Sequence, residues 1–132
     1  MIDVERADFV SVPVRDLERA AEFYGETLGL QPSRGASERW REFETGNVSL
    51  ALIPIEMLGR DEFTPNIAPI AIRVPDVAEA RVKLEAAGVE FPMETIDSGV
   101  CHIAPFRDPD GNALQLHRRY APFQDGSLPN AD

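Results

Sequence analysis

The chain has a single cysteine, Cys101, and no Cys-x-x-Cys spacing. A lone thiol forms no internal disulfide, and the metal sites built on such spacing are excluded. Positive charge is also scarce: 13 Lys and Arg stand against 23 Asp and Glu, for a net charge of −10. A surface of that sign repels phosphate backbones and anionic lipid, so neither nucleic acid nor membrane is an expected partner. No apolar run approaches the ~20 residues that a membrane-spanning helix needs. The opening MIDVERADFV lacks the basic stretch and apolar core of a secretory signal. These absences leave a cytoplasmic protein as the expectation. Its 132 residues suffice for one domain, or for two small halves sharing a core.

The sequence does contain an internal repeat. VSVPVRDLERAAEFYGETLGL (10–30) parallels IAIRVPDVAEARVKLEAAGV (70–89), with Asp76 standing sixty positions after Asp16. GNVSL (46–50) echoes GNALQL (111–116) in the same way. A repeat of this period points to a duplicated supersecondary unit. Each half opens on an alternating stretch: Val10, Val12 and Val14 face one way and Phe9, Ser11 and Pro13 the other. Ile70, Ile72 and Val74 repeat this against Pro69, Ala71 and Arg73. Period-two alternation predicts a strand with one face on a core.

Asp16 and Asp76 then stand as helix N-caps, and Glu79 completes an Asp-x-x-Glu box. Leu17, Ala20, Tyr24 and Leu28 form one apolar helical stripe; Val77, Ala80, Leu84 and Ala87 form the other. Gly29 and Gly88 suit left-handed stops. Further strands are expected near 30–35, 39–45 and 48–53, and near 89–95, 100–106 and 113–118. The predicted fold is α+β: two tandem βαβββ modules forming a curved, mostly antiparallel sheet around a central pocket, with the helices outside. The modules span 1–53 and 67–120, joined by a loop at 54–66, and 121–132 is expected to be a mobile tail.

The doubled pattern, with RDLERAAEFYGETLGL after the first strand and FRDPDGNALQL before the last, resembles the vicinal oxygen chelate superfamily. That group includes glyoxalases, bleomycin-resistance proteins and extradiol dioxygenases. The resemblance covers about residues 7–120 and implies four metal-ligand positions in the members that use a metal. Here they carry Phe9, Leu50 or Ala51 (the register leaves both open), Pro69 and Gln115. Divalent catalytic metals want at least three imidazole or carboxylate donors. Phe, Pro, Leu and Ala offer none, and Gln offers one neutral oxygen. The expectation is therefore no metal, no cofactor and no catalytic residue.

Alternation assigns Phe9, Ser11, Pro13, Pro69, Ala71 and Arg73 to the concave side. Ala113, Gln115 and His117 join them, while Leu114 and Leu116 pack on the core. Trp40, Glu42 and Glu44 share one face of their strand, with Arg41 and Phe43 on the other. The ligand-binding candidates are Phe9, Ser11, Trp40, Glu42, Leu50, Pro69, Arg73, Gln115 and His117. An aromatic, apolar lining with a few polar groups suits a flat small molecule. Cys101 and His102 are adjacent and face opposite sides of a strand, so they form no thiolate–imidazole pair, and Cys101 is expected to be buried.

The resemblance implies a homodimeric binding protein of the bleomycin-resistance kind, sequestering an apolar or aromatic compound, an antibiotic among the candidates. The alternative is a lyase, isomerase or dioxygenase with a displaced or absent metal, using Glu42, His102 or His117 as acid or base.

Overall fold

A computed structural model of the chain describes residues 1–129. The last three residues of the expected tail, 130–132, lie outside the described residues. The chain divides into two units. Met1–Asn66 with Pro109–Asn112 form the first, and Ile67–Asp108 with the described residues from Ala113 onward form the second.

In the first unit, strand β1 (Phe9–Val14) runs parallel to β3 (Ser49–Pro54), and β2 (Arg41–Glu44) runs antiparallel to β3, in the order β1-β3-β2. Helix α1 (Leu17–Glu22) starts where predicted, because the Asp16 carboxylate accepts the Arg19 amide at 3.1 Å. It runs on as a wider π turn, Phe23–Thr27, in which the Leu28 amide reaches the Phe23 carbonyl at 2.9 Å. Gly29, at φ +74, then lets the Leu30 amide cap the Tyr24 carbonyl.

Val12, Val14, Phe43, Leu50 and Leu52 form the buried helix side of this sheet, with Ala20, Ala21 and Tyr24 above them. Fully burying Leu50 or Leu52 stabilises by roughly 2 kcal/mol each. Tyr24 stacks on Phe43 at 6.5 Å, and a Cβ on Gly25 would meet the Phe43 ring at 3.1 Å. The glycine thus admits the ring.

Two expectations for this half need correction. The strand expected at 30–35 is a single bridge between Pro32 and Phe43, since Pro32 has no amide to donate to a ladder. Val10, assigned to the helix side, is exposed: β1 is an edge strand, and α1 packs chiefly on β3.

The second unit repeats the plan. Strand β4 (Ile70–Arg73) is parallel to β7 (Ala113–Arg119). Strand β6 (Cys101–Arg107) is antiparallel to both β7 and β5 (Ile96–Asp97), in the order β4-β7-β6-β5. Helix α2 (Val77–Ala86) begins with the Asp76 carboxylate accepting the Glu79 amide at 2.9 Å. It ends at Gly88, φ +93, with the Val89 amide on the Leu84 carbonyl. Leu114, Leu116, Ala104 and Phe106 form the buried face, with Val77 and Leu84 from α2.

The strand expected at 89–95 is displaced to the two residues of β5, with Pro92 unable to donate within the predicted segment. Residues 121–129 fold into a hydrogen-bonded turn, Phe123 amide to Ser127 carbonyl at 2.9 Å, anchored by Arg119 on the Ala121 and Pro122 carbonyls.

The fold is thus α+β, as two open sheets of three and four strands rather than a closed barrel. In each, the opening strand pairs parallel with the closing one. Among the described residues no helix is long and apolar enough to cross a membrane.

Candidate functional site

In the first sheet, the face turned away from α1 carries Phe9 and Ser11 from β1, Ala51 from β3 and Glu42 from β2. Trp40, just before β2, joins them. A turn fixes it: its carbonyl accepts the Ser37 amide at 2.8 Å, and its own amide donates to Ser37 Oγ at 3.1 Å. The Phe9 and Trp40 rings meet edge to face at 5.4 Å. Phe9 is nonetheless 43% exposed, so the pair is a surface rather than a plug. The Trp40 indole donates to Glu42 Oε1 at 2.7 Å, and Ser33 Oγ donates to Glu42 Oε2 at 2.6 Å. Those bonds, Ser33 first and Trp40 second, hold the Glu42 carboxyl below the usual glutamate range, so it is ionised at neutral pH.

Further along the same face, Ser11 and Pro13 floor a cavity of about 310 Å³ walled by Leu58, Arg60 and the loop Thr64–Asn66. Asn66 fastens that loop, its side chain donating to the Ser11 carbonyl at 3.1 Å. Buried Asn112 completes the anchor: its oxygen accepts the Asn66 amide and its nitrogen donates to the Pro13 carbonyl, both at 2.8 Å. The DPDGN stretch before β7 is therefore a polar clamp. Neither Asn112 nor Ser33 stood among the predicted residues. The asparagine ending a DPDGN turn was the available signal for the first; nothing in the spacing pointed to Ser33.

Leu50 lies elsewhere. It is fully buried on the helix side, so of the two positions left open Ala51 is the one sharing a face with Phe9. Ala51 pairs with Ser11, two residues past Phe9, just as Gln115 pairs with Ala71, two residues past Pro69.

In the second sheet, Ala71, Arg73, Gln115 and His117 share the face turned away from α2, with Gln115 between Ala71 and Pro105 and His117 between Arg73 and Ile103. Gln115 and His117 are half-buried, while Pro69, just before β4, is exposed. The Arg73 guanidinium donates to the Pro129 carbonyl at 2.8 Å. His102 pairs with Arg118 on the helix side, so His102 and His117 occupy opposite faces and cannot share a ligand. Cys101, expected to be buried, is half-buried at the start of its strand.

Phe9, Ala51 and Pro69 supply no donor and Gln115 one amide oxygen, so these residues do not fit a divalent metal. Among the described residues, no three His, Cys, Asp or Glu converge elsewhere to hold one.

A family model described as Glyoxalase/Bleomycin resistance protein/Dioxygenase superfamily matches residues 6–116. A probable lactoylglutathione lyase of Vibrio parahaemolyticus is 30% identical over 115 residues, covering 78% of this chain and 83% of the relative. Among solved structures, TnmS3, an antibiotic-binding protein from a Streptomyces species, is 26% identical with a TM-score of 0.72, over 90% of this chain and 99% of that one. A member of the same superfamily from Sphaerobacter thermophilus aligns with a TM-score of 0.72 at 23% identity, covering 86% of this chain and 97% of that one. This last likeness speaks to the fold alone.

Proposed function

The chain belongs to the glyoxalase/bleomycin resistance protein/dioxygenase superfamily, and on that premise we propose that it is a metal-free binding protein that sequesters a flat apolar or aromatic small molecule. The observation that carries the reading is the edge-to-face pair of exposed Phe9 and half-buried Trp40, braced by Glu42, at a position where the superfamily resemblance implies a donor in metal-using members. Ring faces held at fixed angles stack on flat ligands at little entropic cost, worth about 1 kcal/mol beyond area burial. The corresponding face of the second sheet carries polar groups instead, Arg73, Gln115 and His117. The antibiotic-binding neighbour supports an antibiotic-like compound as the ligand class. The reading includes a cytoplasmic protein and a homodimer; for the dimer, edge strand β1, exposed over Phe9–Ser11, offers a pairing surface.

Trp40 is the sole tryptophan, so its emission reports the site directly. Titration with polycyclic aromatics such as acridine should quench it saturably, and Phe9→Ala should weaken binding about tenfold. Unchanged emission across the panel, or unchanged affinity in Phe9→Ala, would contradict the reading. The enzyme alternative draws on the lyase relative. Turnover of a substrate that depends on stoichiometric metal would establish it instead.

A further inference from the structure

The helix side of the second sheet holds a different kind of cavity. It measures about 530 Å³ and is lined by Asp76, Val77, Thr95, His102, Arg118 and Tyr120, among others. His102 and Arg118 line it as cross-strand partners, and Asp97 pairs with His102 on the next strand, outside the lining. That carboxylate is already committed. Asp97 accepts the Gly99 amide at 2.9 Å and the Tyr120 hydroxyl at 2.7 Å, and it stands 3.5 Å from His102 Nε2. The acid that does line the cavity, Asp76, is committed to capping α2. Arg119, also in the lining, has its guanidinium engaged by the Ala121 and Pro122 carbonyls and placed over the Phe123 ring.

Arg118 is left. It is half-buried, and among the described residues its side chain makes no hydrogen bond, ion pair or ring contact. A guanidinium brings five N–H donors in a planar fork, and drawing it partly out of water without an acceptor is unfavourable. The equivalent side of the first sheet has no such gap: Arg41 there pairs with Glu18 of α1 at 3.1 Å. Beside Arg118, the Thr95 hydroxyl accepts from Arg81 at 3.2 Å, which leaves its own hydrogen to donate. His102 has Nδ1 free beyond its contact with Asp97.

We infer that this cavity is a second binding site, for a small oxyanion of the carboxylate or phosphate class, independent of the aromatic face. The fork of Arg118 matches two oxygens of such a group, charge-assisted bonds being the strong ones. The Thr95 hydroxyl supplies a further donor, and the His102 ring lies beside it in the lining. The site lies on the face opposite Gln115 and His117, so an anion here and a ligand there do not compete for the same side chains of this sheet.

The chain has two histidines, and they lie on opposite faces, which gives the test its internal control. Inorganic phosphate, and separately acetate, is titrated at fixed pH and chloride-matched ionic strength while the two imidazole ring signals are followed by NMR. Phosphate should move the His102 signals saturably and leave those of His117 in place. Arg118→Gln should weaken that saturation about tenfold or abolish it, corresponding to loss of roughly one charged hydrogen bond. Arg118→Lys, which keeps the charge and a core-compatible stem, should retain part of it. Saturation by acetate as well marks a general oxyanion site, and saturation by phosphate alone a phosphate site; either supports the inference. A linear drift of both histidines, or titrations in Arg118→Gln and Arg118→Lys that match the unmodified protein, would overturn it.

Discussion

The two units grow from one repeated sequence pattern and diverge in what each sheet face carries. In the first, the helix side is closed by rings: Tyr24 stacks on Phe43, and Arg41 is paired with Glu18. Its opposite face is open and aromatic, with Phe9 and Trp40 braced by an ionised Glu42. In the second, the helix side buries mainly aliphatic side chains together with Phe106, and leaves Arg118 without a partner. Its opposite face carries Arg73, Gln115 and His117 instead of rings. Duplication thus fixed the caps and the strand order, while the chemistry moved to different faces. A fold retains its frame and changes function through such surface positions.

The largest expected effect tests the ring-built core of the first unit. Phe43→Ala should cost about 3–5 kcal/mol in denaturant unfolding, because it empties the space under Tyr24 and beside Gly25. Leu84→Ala in the second unit should cost less, about 2–3 kcal/mol, since that site is smaller and at the edge of burial. Equal losses would erase the contrast between the two cores. Next comes the clamp: Asn112→Ala leaves the Pro13 carbonyl and the Asn66 amide without their partner, at about 2 kcal/mol. Asn112→Asp, which keeps the acceptor for Asn66 but loses the donor to Pro13, should fall between the two.

The smallest effect is one of pH. Because Ser33 and Trp40 depress the Glu42 pKa, the stability Glu42 contributes is complete above its unfolded value of about 4.3 and is lost as pH falls through the lower folded value. Trp40 emission should stay flat from neutral pH down to about 4.5 and change only below it. Glu42→Gln should remove that acid step and, at a partly exposed site, cost under about 1 kcal/mol at neutral pH. Asp97 is also depressed, by the Gly99 amide first and Tyr120 second, so whole-chain melts mix the two units while Trp40 isolates the first.

Much of the frame was legible because it rests on local chemistry. The carboxylates of Asp16 and Asp76 cap the helices, Gly29 and Gly88 stop them, and Leu114 and Leu116 alternate inward as period two requires. What escaped depends on contacts distant in sequence. Neither the exposure of Val10 nor the burial of Asn112 follows from its neighbours; the first reflects an edge position and the second a loop forty-six residues away. The choice between Leu50 and Ala51 turns on a one-residue register, which only the pairing of β1 with β3 decides. His102 and His117 both read as acid or base in the sequence, and the pairing of His102 with Arg118 places it on the other face.

The central claim is that ligand binding needs no metal. Calorimetric titration of acridine into the purified protein, before and after exhaustive chelation, with metal content measured on the same samples, tests it most directly. The account predicts the same affinity in both samples and no stoichiometric metal in either. Binding or turnover that vanishes on chelation and returns with one equivalent of nickel, zinc, manganese or iron would contradict it.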